Sequence, residues 1–171
     1  QPNYVAAADQ SLAALADTAG EHPAETFLRL SIQHEGQATF TWRALNQNMD
    51  ALAEAIKSDF CLPGLGDAGA HVTQIMDAGW TTFVLAHWSR DTSTLTLADA
   101  VRRLTAAPAR VMRAHDRGTL KQGMKADINV INLTTLGEQM PRIVNDLPNG
   151  APRYIQHATG YRATICNGVV V

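Results

Sequence analysis

Residues 61–72 read CLPGLGDAGAHV, a short apolar run that gives way to a glycine-rich turn carrying one carboxylate, Asp67, and an imidazole four positions on, His71. The residues alone allow two readings. Glycine and aspartate are what a tight turn asks for, because one tolerates left-handed backbone and the other hydrogen-bonds to its own main chain. A carboxylate just past the end of a buried strand is also the position from which α/β enzymes carry out acid–base chemistry. The choice decides the fold: a bare turn leaves a connection between helices, whereas the second reading makes CLPGL a strand that delivers Asp67 to a mouth.

Working outward, QNMDALAEAIKS (47–58) has helical spacing through Met49, Leu52, Ala53 and Ile56. Farther upstream, Leu12, Leu15, Ala16 and Ala19 predict a helix with Asp9 or Ser11 as N-cap and Gly20 just past its end. A second helix opens with Pro23 in its first turn and runs through Phe27, Leu28, Leu30 and Ile32 to Gly36. Thr39-Phe40-Thr41-Trp42 has the composition of a short strand.

Downstream, WTTFVLAHW (80–88) is apolar nearly all round and predicts a buried helix. Thr96 and Asp99 form a capping-box pattern for a helix over 97–105, expected to bury Leu97, Ala100, Val101 and Leu104. After Gly118 the character changes to INVINL, RYIQHA and YRATIC, rich in β-branched and aromatic residues. On these strands Tyr154, His157 and Tyr161 alternate with apolar residues, which predicts sheet packing rather than ligand stacking. Asn167-Gly168 is a type I′ hairpin signal that leaves Val169, Val170 and Val171 for the returning strand.

Composition narrows the partners. With 171 residues, 46% apolar and 18% charged, the chain has the make-up of one folded domain and not of a disordered segment. A net charge of −2, with Lys and Arg scattered apart from Arg102-Arg103, offers no basic stripe for nucleic acid. No run approaches the ~18 apolar residues of a membrane span, so no membrane partner is expected. Cys61 and Cys166 lack CxxC spacing and are expected to be two buried thiols in a reducing cytoplasm. The N-terminus has no signal-peptide pattern and begins with Gln1, which predicts a start within a longer gene product or after a removed segment. The six histidines, His22, His34, His71, His87, His115 and His157, show neither HxH nor HExxH spacing, so this chain alone is not expected to build a zinc site.

Three stretches, LGDAGAHV (65–72), DRGTLKQGMKADINVINL (116–133) and DLPNGAPRYIQHATGYRATICNGVVV (146–171), together with LADAVRRLTAAPARV (97–111) between them, resemble the C-terminal part of N-acyl-D-amino-acid deacylases of the amidohydrolase superfamily. Each motif is moderately specific, and their order along most of the chain carries the likeness. The resemblance implies a zinc-dependent hydrolase with a (β/α)8 barrel and an appended small β-sandwich. It also implies that Asp67 accepts a proton from a metal-bound water and passes it to the leaving amine, or serves as a metal ligand. Gly66, Ala68, Gly69 and His71 are then candidates for the substrate-binding mouth. The family commonly has Ser where this chain has Gly66, which removes a hydroxyl that could orient the carboxylate.

A barrel takes roughly 250 residues, more than the whole chain, so the expected architecture is an α/β to α+β C-terminal fragment. Residues 1–60 would be a helical segment before the last barrel strand, 61–117 the last βα unit with trailing helices, and 118–171 the C-terminal share of the sandwich. Such a piece should expose apolar surface and form a homo-oligomer or await a missing N-terminal part. The isolated chain is expected to be inactive, with its substrate an N-acyl amino acid by family inference. Two alternatives stand beside this: a non-catalytic structural or interaction module, and a cyclic-amide hydrolase or deaminase of the same superfamily, where the same aspartate occurs.

Overall fold

A computed structural model describes residues 2–42, 45–64 and 71–171. The chain divides into two compact units, one formed by residues 3–47 and the other by residues 1–2 and 48–171. The architecture is mixed helix and sheet.

The smaller unit is a helical pair whose ends are written in the local sequence. Helix α1 (Leu12–Ala19) begins where the Ser11 hydroxyl accepts a hydrogen bond from the Ala14 amide, and ends at Gly20 with φ of 68°. Helix α2 (Pro23–Gln33) starts from a capping box built on His22 rather than on a hydroxyl residue. Its Nδ1 accepts from the Ala24 amide at 3.2 Å, while the Glu25 carboxylate accepts from the His22 amide at 2.9 Å. Between the helices, Glu21 accepts hydrogen bonds from the Thr26 hydroxyl and from the Arg29 guanidinium, which gives the fully buried Thr26 side chain its partner. Residues 39–42 form no strand. Phe40 lies against Phe27 of α2 with ring centroids 4.7 Å apart and tilted, Trp42 is 81% exposed, and no strand neighbours the segment among the described residues.

The larger unit contains helix α3 (Met49–Lys57), capped by the Asn48 carboxamide oxygen, which accepts from the amides of Asp50 and Ala51. Residues 61–64, expected to begin a strand, have none, and the rest of that expectation lies outside the described residues. Helix α4 (Trp80–Phe83) continues as a π-helical stretch, Val84–Asp91. Its apolar circumference matches its position: Val84, Leu85 and Trp88 form the core with Ile56, Leu95, Ala100 and Leu136. Helices α5 (Leu97–Leu104) and α6 (Ala106–Val111) follow. Thr96 caps α5 through the Asp99 amide as expected, but the Asp99 carboxylate does not complete the box, because it pairs with Arg102 and Arg103. The face of α5 that is buried also differs: Ala100 is enclosed, Leu97 and Val101 are exposed, and Arg103 lies inside instead. The guanidinium finds enough acceptors there to offset its loss of water.

Among the described residues, seven strands within 128–170 make three small open antiparallel sheets. Strands β1 (Ile128–Ile131), β6 (Tyr161–Cys166) and β7 (Val169–Val170) form one, in the order β1-β6-β7. Strand β2 (Gly137–Glu138) pairs with β5 (Ala158–Thr159), and β3 (Arg142–Leu147) with β4 (Ala151–Ile155). INVINL, RYIQHA and YRATIC supply β1, most of β4 with the first residue of β5, and β6, whereas the sequence predicts neither β2 nor β3. The Asn167-Gly168 turn closes β6 on β7 with φ of 50° and 84°, the left-handed pair that a type I′ turn requires. Gly160 is needed for a different reason. A Cβ there would lie 2.5 Å from the Leu136 Cα, so only glycine lets this chain cross so close to the core.

Both cysteines are exposed, contrary to the expectation of buried thiols. Cys61 follows α3 at the surface, and Cys166 ends β6 on the exposed side of a strand whose residues alternate between half-buried and exposed.

Candidate functional site

The glycine-rich stretch that carries Asp67, Gly66, Ala68 and Gly69 lies outside the described residues, so what the structure defines is its two approaches. The entry is held by Arg103. The guanidinium of this residue, 2% exposed, donates to the carbonyls of Lys57 (2.7 Å), Ser58 (2.8 Å) and Cys61 (3.0 Å). These include carbonyls that the end of α3 would otherwise leave unpaired. Its Nε donates to Asp99 Oδ2 at 2.9 Å, and Asp99 Oδ1 accepts from Arg102 at 2.7 Å. The guanidinium pair, Arg103 first and then Arg102, holds the Asp99 carboxyl below the usual carboxylate range.

The exit is tied to the sheet. The Val72 carbonyl accepts from the Tyr154 amide of β4 at 2.7 Å, one residue after His71. His71 itself is exposed with φ of 52°, and its carbonyl starts a turn by accepting from Gln74 and Ile75. Cys61 and Val72 are thus each bonded to an element distant in sequence.

Past the exit, the chain enters α4 through a polar layer. A Cβ at Gly79 would sit 2.8 Å from both Gln156 Oε1 and Glu138 Cγ, so the helix start is pressed against β2 and the end of β4. Glu138 is buried, and burial pushes its carboxyl above the ordinary value despite the neighbouring Arg90 charge. Arg90 donates to the Leu133 carbonyl at 3.0 Å and to the Leu136 carbonyl, stitching the π-helical stretch to the turn before β2. His87 stacks on Phe83 at 4.6 Å, and burial lowers its pKa below the ordinary imidazole value, an effect that Asp91 partly opposes. Tyr161 joins β6 to α4 through its hydroxyl, 2.9 Å from that of Thr82, which is a packing role.

Arg103, Gly79 and Glu138 do not stand out in the sequence as site residues. The doubled Arg102-Arg103 in a helix of otherwise apolar periodicity is the available signal for the first; the other two carry none, because their significance comes from what folds against them. Among the described residues, no three His, Cys, Asp or Glu side chains gather to hold a metal ion. The described donors therefore do not fit the zinc implied by the resemblance. Among them, too, no helix is long and apolar enough to cross a membrane.

A family model described as "Amidohydrolase family" matches residues 6–171. Among curated proteins, the chain is similar to the N-acyl-D-glutamate deacylase of Alcaligenes xylosoxydans xylosoxydans, 39% identical over 80 residues. That match covers 46% of this chain and 16% of the relative. No solved structure matches.

Proposed function

Because the chain belongs to the amidohydrolase family, we propose that it forms the C-terminal part of a hydrolase that cleaves the amide bond of N-acyl-D-amino acids, with Asp67 as its proton shuttle. The observation that supports this best is the family match over nearly the whole chain, joined to partial identity with a deacylase of an N-acylated D-amino acid. In this reading residues 61–117 contribute the last βα unit of a (β/α)8 barrel with its trailing helices, and 118–171 part of the small β-sandwich, preceded by the helical segment 1–60. A carboxylate at the mouth of a barrel strand takes the proton of the attacking water and returns it to the departing amide nitrogen, so that neither hydroxide nor an amide anion must form free. Gly66, Ala68, Gly69 and His71 would line the substrate side of the same mouth. The family is generally metal-dependent. The described residues do not complete a metal site, so zinc ligands would come from elsewhere in the enzyme.

The test is hydrolysis of N-acetyl-D-glutamate and other N-acetyl-D-amino acids by the enzyme that contains this chain, compared with its Asp67→Asn variant. The expected loss is at least about 10²-fold in kcat, the usual scale of a general acid–base contribution, with KM little changed. Loss of less than tenfold would remove Asp67 from the role. Turnover of a cyclic amide or an aminated ring in place of the acyl amino acid would move the chain to another branch of the superfamily.

A second reading, a non-catalytic interaction module, draws on the exposed apolar surface: Phe60 is 99% exposed, and Trp42 and Leu45 81% each. Such surface is usually covered in the working protein, and self-association of the chain is the cover proposed. Light scattering on the purified chain checks it: a monodisperse monomer across concentration would count against this reading.

A further inference from the structure

We propose that the basic surface made by the end of α6 and the turn 116–125 receives the acidic face of α2 from a second copy of the chain; the proposal deepens the self-association reading above and rests on it. Between residues 3 and 42 stand five carboxylates, Asp9, Asp17, Glu21, Glu25 and Glu35, against one cation, Arg29. Between 110 and 125 stand five cations, Arg110, Arg113, Arg117, Lys121 and Lys125, against one carboxylate, Asp116. A chain of net charge −2 thus carries its two signs apart.

The five cations are spaced singly along the sequence, and folding gathers them. The Lys125 amide donates to the Asp116 carbonyl at 2.7 Å and closes the turn, while Gly118 lies so near α6 that a Cβ on it would be 2.7 Å from the Ala109 Cβ. The Asp116 carboxylate is taken up by Arg117 and Lys125, whereas Arg110, Arg113 and Lys121 make no ion pair among the described residues. Beside them Val111, Met112 and Leu120 are 70%, 77% and 80% exposed. Helix α2 presents the complement. Glu25, Leu28 and Ile32, at i, i+3 and i+7, share one of its faces, and Glu35 follows just past its end. Leu28 and Ile32 are 58% and 75% exposed. Among the described residues of this unit the ion pair is Glu21 with Arg29, so Glu25 and Glu35 keep their charge for a partner.

Exposed apolar side chains of this extent are usually covered, and charges of one sign around them decide by what, because unlike charge steers the encounter and like charge rejects it. An anionic lipid surface would attract the basic turn but repel the acidic residues carried on the same chain. A second copy supplies the opposite sign to both surfaces at once. Two such contacts related by a two-fold axis close a dimer, each copy giving its α2 to the other's basic turn.

The test is the mass of the full chain against concentration by analytical ultracentrifugation. The wild type is expected to dimerise, with a dissociation constant about tenfold weaker at about 500 mM salt than at about 50 mM, since screening shortens the reach of the paired charges. Arg113→Glu and Glu35→Lys are each expected to weaken it at least about tenfold, and a 1:1 mixture of the two variants to regain dimers, because the swapped charges then face each other. Ile32→Ser and Leu120→Ser should weaken association at both salt concentrations; below the dissociation constant the face of α2 is bare, so their effect is read in mass and not in unfolding. Dimers that ignore salt and both charge variants, or a mixture that regains nothing, would overturn this docking while self-association stands. A monomer at every concentration would overturn both. Sedimentation of a monomeric chain with phosphatidylserine-containing vesicles, abolished by Arg113→Glu, would give the basic turn to a lipid surface and overturn the second copy as its occupant.

Discussion

The two units of this chain are stabilised in opposite ways. In residues 3–47 the order is local: a serine cap, a histidine capping box and a Glu21–Thr26–Arg29 cluster hold two helices, while among the described residues only Ala16 and Thr26 are buried outright. In residues 48–171 the order is long-range: Trp88 and Leu85 of the central helix pack with Ile56 from upstream and Leu136 from downstream in the chain, and Arg103 joins α5 back to the end of α3. The smaller unit leaves Leu28 and Ile32 of α2 exposed, whereas the larger one encloses a tryptophan almost completely. Local bonds can define an element, but burial of apolar area is what supplies most of the stability of a fold. The larger unit is therefore the one that can hold a site in place.

The sharpest way to break this contrast is Trp88→Ala, which is expected to destabilise the larger unit by about 3–5 kcal/mol. A denaturation midpoint for residues 48–171 that shifts by less than a quarter of that would mean the helix is not its core. In the smaller unit the largest single lever should be a cap. His22→Ala is expected to cost about 1 kcal/mol, read as earlier loss of helical circular dichroism with the larger unit's transition unchanged.

Acid acts on the larger unit through two groups of opposite sign. His87 has a folded pKa below its ordinary 6.5, so the unfolded chain binds the proton more readily, and the larger unit loses stability as pH falls from that value through the lowered one. Glu138 acts with the opposite sign. Its pKa is raised above 4.5, so its share of stability is present at low pH and is lost as pH rises through the raised value. Glu138→Gln should therefore steepen the net acid loss between these values, and unfolding free energy measured against pH checks it. An unchanged slope would mean that Glu138 is solvated. The smallest effect is expected at Ile32, 75% exposed, where Ile32→Ala should change stability by no more than about 0.5 kcal/mol. A larger, concentration-dependent loss would show the face of α2 to be covered by another copy.

Much of the chain was legible where a signal acts on near neighbours. Ser11 and Gly20 bracket α1, Pro23 opens α2, Thr96 caps α5, and Asn167-Gly168 turns β6 into β7, because each acts within a few residues. The errors fell where the answer depended on a distant partner. Thr39–Trp42 has strand composition but no strand to pair with among the described residues. Leu97 and Val101 match the apolar period of α5, yet the face turned inward is the one that brings Arg103 to the carbonyls of α3. Strands β2 and β3 have weak patterns and exist because β5 and β4 complete their hydrogen bonds.

The candidate site divides along the same line. The sequence by itself, through the order of its motifs, determined the family, since such motifs are specified by residue type and spacing. Only the tertiary structure decided that a buried arginine forty-two residues from Cys61 ties α5 to the end of α3, and that Gly79 must be bare for β2 and β4 to close on the helix start. The physical reason is range: caps and turns are encoded within one turn of chain, whereas desolvating a guanidinium is tolerable only if folding delivers every acceptor at once.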